Sequence, residues 1–160
     1  VRLFLFCLWF LIIPATLAEE KTVVVVWPFE DVSFIPGNDA GQDDLGGLAT
    51  EVLIARLLQS RRVEVVERQA LDKVLEELNL SCSGLADKDA CLRVGKIIGA
   101  RKMLFGTYFL LDGRLHLLVR VVDVETSLID GSVKWVTTPG ELPQAMEEIA
   151  QQVTSIFSDQ

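Results

Sequence analysis

Histidine is nearly missing from this sequence: His116 is the single one among 160 residues. Acid-base and nucleophilic sites built on an imidazole therefore have little raw material, and neither a nucleophile-elbow nor a cysteine-protease signature occurs. Strand alternation groups His116 with Arg114 and Arg120, opposite Leu115, Leu117 and Val119, which reads as a sheet-surface residue. Basic runs are equally scarce, since no Lys/Arg cluster exceeds Arg61-Arg62 and 15 basic residues face 23 acidic ones for a formal charge of −8. Such a chain has no broad basic face to release counterions from a phosphate backbone, so nucleic-acid binding is excluded. Proline and glycine, at 5 and 11, are too few for a fibrous or disordered chain, and an apolar half supplies one domain's core.

Phosphate-loop signatures are absent too. Gly46-Gly47 opens a helix after an apolar strand, but neither G-x-G-x-x-G nor a Gly-Lys-Ser/Thr ending is present, leaving packing or capping as the role of that pair. Asp39, Asp43 and Asp44 crowd the longest loop without the spacing of a calcium loop. No metal and no cofactor are expected, and the carboxylates yield no distinguished pair for hydrolysis. The chain does not read as an enzyme.

What is present begins with a leader. Leu3 through Ile13 is unbroken apolar sequence behind Arg2, closed by Pro14-Ala15-Thr16-Leu17-Ala18. Small residues at Thr16 and Ala18 predict a signal peptide over residues 1–18, cut after Ala18, with residues 19–160 as the exported domain. As a helix the apolar run rises about 16 Å, roughly half a hydrocarbon core, so it is too short to anchor by spanning. Cys7 lacks a small residue before it and does not read as a lipidation site. Cys82 and Cys91 then remain as an even pair in an oxidising compartment and are expected to form a disulfide, worth about 2.5 kcal/mol in the chain-entropy model. Two reduced buried thiols, or a redox or metal pair, are the alternatives.

Residues 21–29 form a β-branched run stopped by Pro28, as in a strand covered on both faces. Residues 30–44 are a long loop. Leu45–Gln59 reads as a largely buried helix through Leu48, Val52 and Ala55. Residues 62–68 alternate as a strand, and Leu71, Val74, Leu75 and Leu78 mark an amphipathic helix. A third helix, capped by Asp87 or Asp89, carries Ala90, Val94, Ile97 and Ile98 and ends at a left-handed Gly99. Lys102–Leu111 and residues 114–124 are strands joined by a type I′ turn at Asp112-Gly113, and residues 128–136 form the last strand. Thr138-Pro139-Gly140-Glu141 offers a capping box, with Pro143 delaying a helix lined by Leu142, Ala145, Ile149, Val153 and Ile156. The order β-α-β-α-α-β-β-β-α predicts a single α/β (α+β) domain, a mixed sheet with flanking helices.

Five strings now matter together: Val25-Val26-Trp27-Pro28-Phe29-Glu30-Asp31, the segment 63–77 from Val63-Glu64-Val65 onward, Gly95-Lys96-Ile97-Ile98-Gly99-Ala100-Arg101, Phe105-Gly106-Thr107, and Val121-Val122-Asp123-Val124-Glu125-Thr126. In this order they resemble the CsgG family of curli production assembly and transport components, from about Val23 to Ile156. The resemblance implies a domain similar to the TolB amino-terminal domain, export to the Gram-negative envelope and, in well-known members, a ring-shaped outer-membrane pore. Those members carry membrane-crossing hairpins in two long insertions, where this sequence has Asp112-Gly113 and a short segment at residues 136–140. A crossing strand takes about nine to eleven residues, so a short form without transmembrane hairpins is expected. The channel's lipid-anchoring cysteine is also missing, and Ser127 stands where the turn after Glu125-Thr126 often has glycine.

The implied function is a non-enzymatic periplasmic assembly or scaffolding component, not itself a pore, possessing envelope protein partners or self-association and no membrane span. Exposed sheet edges and the loop holding Asp39, Asp43 and Asp44 are the expected contact surfaces. The rival reading is a regulator of a peptidoglycan synthase resembling LpoB.

Overall fold

A computed structural model describes residues 21–33, 44–78 and 88–158. Strand β1 (Thr22–Val26) leads to a short β2 (Glu30–Asp31), helix α1 (Leu45–Gln59), β3 (Val63–Val65), α2 (Arg68–Glu77) and α3 (Lys88–Ile97). Strands β4 (Lys102–Leu111), β5 (Arg114–Asp123) and β6 (Ile129–Thr137) follow, then a 3-10 turn at Pro139–Glu141 and helix α4 (Leu142–Ser158). The sheet runs β3-β1-β4-β5-β6, with β2 also beside β4. Strands β3, β1, β2 and β4 pair in parallel, whereas β4, β5 and β6 form an antiparallel meander. The expected mixed sheet is therefore present, with one strand added inside the segment assigned to loop.

Alternation along β1 explains its unbroken apolar sequence. Val24 and Val26 enter a core with Leu53 and Leu57 of α1 and Met146, Ile149 and Val153 of α4. Val25 and Trp27 enter a second core with Leu71 of α2 and Leu92 and Val94 of α3. Helices thus cover both faces of the sheet at β1, which removes any need for polar residues there.

The buried stripe of α1 is Ala49, Leu53 and Leu57, with Gly46 and Thr50 beside it, while Leu48 is 47% exposed. The expected stripe through Leu48, Val52 and Ala55 is out of phase. Apolar residues nearly encircle this helix, so periodicity fixes its rotation weakly; close packing decides it instead. Gly46 lies against the Phe29 carbonyl, where an added Cβ would sit 2.6 Å from the oxygen. Thr50 accepts the Phe29 amide at 3.0 Å and donates to the Gly46 carbonyl at 2.7 Å, tying α1 to the residue that precedes β2.

Other expectations shift by a few residues. Strand β3 stops at Val65, and Glu67 already serves as the N-cap of α2. Asp89 lies inside the first turn of α3 rather than capping it, Asp87 is outside the described residues, and Ile97 is 59% exposed at the helix end. Gly99 is left-handed as expected, with φ of 72°. The capping box does not close: the Thr138 hydroxyl donates to the Glu141 carboxylate at 3.2 Å, and no side chain caps the turn. Pro139 starts a 3-10 turn there, and the regular helix begins at Leu142.

The β4–β5 hairpin has the predicted turn, with φ of 51° at Asp112 and 72° at Gly113. These angles satisfy type I′ and fix the register from Lys102 opposite Asp123 to Leu111 opposite Arg114. Between Val121 and Val122 the pairing with β6 shifts, leaving Asp130 as the extra residue of a bulge.

Candidate functional site

The residues singled out by sequence do not assemble into one site. The cleavage position after Ala18, Cys82, Asp39 and Asp43 all lie outside the described residues. Cys91 is fully buried on α3 in the second core, among Leu92 and Val94. Asp44 has a structural duty: as N-cap of α1, its carboxylate accepts the Gly47 amide at 2.7 Å. Gly47 is accordingly the capping half of the Gly46-Gly47 pair, and Gly46 the packing half.

A cluster that the sequence reading missed sits at the other end of the sheet. The Lys102 ammonium lies 2.9 Å from Asp123 and 2.7 Å from Asp130, with its side chain only 5% exposed. Burial pulls the Lys102 pKa down, but the hydrogen bonds and charges of Asp130 and Asp123 outweigh it, and the net displacement is upward. The Thr126 amide donates to Asp123 at 2.7 Å and is the largest cause of a carboxyl pKa lowered to about 2; burial opposes this, while Lys102 and the Thr126 hydroxyl reinforce it. The same contacts hold the β5–β6 turn, in which Ser127 takes a left-handed φ of 63°. Every donor of this cluster is matched to a carboxylate inside the fold, so its role is to lock β4, β5 and β6 together.

The surface best placed to meet a partner is an open sheet face. Helices α2 and α3 lie over β1, the start of β4 and Val122 near the end of β5. Toward the Asp112-Gly113 turn that face emerges from cover. Phe109 of β4, His116 of β5 and Val136 of β6 form one row across it, with Leu111 and Arg114 nearer the turn. Phe109 is 36% exposed and Val136 46%, and the Phe109 ring stacks on His116 at 4.6 Å. Next comes Thr107, Leu118 and Lys134, then Phe105, Arg120 and Ser132.

Basic residues collect here. Arg114, Arg120 and Lys134 share the face with His116, and none of the face positions in the described β4–β6 pairings is a carboxylate. The low basic content gave no hint of this; only register brings positions from different strands together. Trp27 and Phe105 stack at 6.1 Å beside it. Flanking that pair, Trp27 Nε1 and Arg120 Nε are buried without a hydrogen-bond partner among the described residues.

The mixed sheet with helices on its two faces defines an α/β domain whose fold recurs among solved structures. The LpoB C-terminal domain from Salmonella enterica superposes with a TM-score of 0.63 at 19% identity, over 74% of this chain and 83% of that one. Lipoprotein GNA1162 from Neisseria meningitidis matches at 0.60 and 12%, over 84% and 97%. TolB from Acinetobacter baumannii matches at 0.59 and 12%, over 88% of this chain but 29% of its own. At these identities the likeness establishes the fold, including the TolB-like architecture expected from the sequence. No curated protein matches the chain.

The family is given by sequence. Residues 10–115 match the family described as curli production assembly/transport component CsgG, and the chain belongs to that family. The match ends at Leu115, short of the Val121–Thr126 string that also carried the resemblance.

Proposed function

We propose that this protein is a periplasmic, non-enzymatic assembly or scaffolding component of CsgG type, serving an envelope secretion or curli-like surface-structure system without itself forming a pore. Family membership supports the assembly role. The observation that carries the non-pore part is the hairpin geometry: β4 and β5 are joined by Asp112 and Gly113, and β6 reaches α4 through Thr138 and one 3-10 turn. Neither link holds the roughly nine to eleven residues that each membrane-crossing strand requires. No helix among the described residues is long and apolar enough to cross a membrane.

The proposal includes processing after Ala18 and a Cys82–Cys91 bridge in the exported domain. Intact-mass measurement of the exported protein should show Glu19 as first residue and a two-hydrogen deficit restored by reductant; an unprocessed or fully reduced chain would remove those parts. Size-exclusion chromatography with light scattering, joined to co-purification from envelopes, tests the function. A defined assembly or a stable envelope complex is the expected result, and a strict monomer without partners contradicts it.

The LpoB-like fold favours a second reading, regulation of a peptidoglycan synthase. It predicts stimulation in a reconstituted glycan-synthesis assay, and no stimulation of any of the host's synthases would dismiss it.

A further inference from the structure

We propose that the open face of β4, β5 and β6 docks an acidic, apolar polypeptide segment of a partner protein. This rests on the reading that the chain works through protein contact. Charge is the leading argument. The chain is strongly acidic at −8, yet Arg114, Arg120 and Lys134 gather on one sheet face beside His116, and the one carboxylate among the described strand positions of that face is Glu30 of β2, opposite Thr107. An acidic partner is steered to this face, whereas it is repelled by the protein as a whole.

Apolar area lies among these groups. Phe109 and Val136 are partly exposed in one row, at 36% and 46%, so an occupant with alternating acidic and apolar side chains matches both components. Arg120 supplies an independent indication of incompleteness: its Nε is buried and unpartnered, and its neighbours Phe105 and Ser132 supply no carboxylate. An acidic side chain arriving over this row would neutralise the guanidinium.

Two synthetic peptides test the assignment against the full processed chain: one alternating Glu with Leu, Phe and Val, the other with Lys at every Glu. Phosphatidylglycerol vesicles form the third arm. The Glu peptide should bind at least about ten-fold tighter than the Lys peptide, opposite to the preference expected from net charge. In the double variant Arg114→Glu, Lys134→Glu that advantage should fall to within about two-fold. Both sites are exposed, and an unchanged denaturation midpoint will confirm that the variant folds. Lys73→Glu on α2 should leave the preference intact. Equal binding of the peptides, or a Glu preference that survives charge reversal, overturns the proposal. Vesicle binding abolished by the double variant, without Glu-peptide binding, also overturns it and makes the face a lipid contact. If the peptides fail while an envelope complex still co-purifies, this inference falls and the assembly role stands.

Discussion

Replacing Lys102 by Met would leave Asp123 and Asp130 facing one another with side chains only 15% and 13% exposed. Removing one partner from such a cluster typically costs about 3 kcal/mol, because carboxylates remain uncompensated. Urea denaturation of Lys102→Met should show a loss of that order, partly recovered when Asp123→Asn and Asp130→Asn are added. The cluster also has a pH signature. Asp123 has its folded pKa depressed from 3.8 to about 2, so its contribution is present above the ordinary carboxylate range and is lost as pH falls through that interval. At neutral pH the contribution is about 2 kcal/mol. Asp123→Asn should therefore flatten the decline in stability between about pH 4 and 2; an unchanged decline would place the acid sensitivity elsewhere. Ser127 tests the neighbouring backbone. Its φ of 63° is strained for a non-glycine residue, and Ser127→Gly should raise stability by about 1 kcal/mol.

Among the elements, legibility followed the strength of local constraint. Asp112-Gly113 specified its turn by sequence, and that turn dictated the whole β4–β5 register, including Lys102 opposite Asp123. The ion pair could thus have been found by counting outward from the turn. Asp130 could not, because its place depends on a bulge. Strand β2 was invisible because two residues carry no periodicity. The bounds of α1 were clear, but its rotation was set by Gly46 against Phe29, a contact between distant segments. The open face was readable only in part: alternation placed His116 with Arg114 and Arg120, while Lys134 and Val136 joined them through the β5–β6 register. Two substitutions probe the local devices. Gly113→Ala should lower stability by about 1 kcal/mol by forcing a side chain into left-handed geometry, without changing the sheet's circular dichroism. Asp44→Ala should lower it by about 1 kcal/mol through the lost cap on α1; no change would mean that the Gly47 amide finds another acceptor.

For the whole molecule, the separation of its two faces gives the account its coherence. One face of the sheet is closed by α1 and α4, and among the described residues α2 and α3 cover the other at β1, the start of β4 and Val122, so the meander holds both the short links and the docking surface. Its links are too brief to hold membrane-crossing strands, while its uncovered side presents basic and apolar groups to the aqueous space. The most direct test of the central claim is alkaline carbonate extraction of envelopes containing the processed chain, followed by planar-bilayer recording. The account predicts release without detergent and no conductance from the released protein. Retention in the pellet until detergent is added, together with a reconstituted conductance, would contradict it.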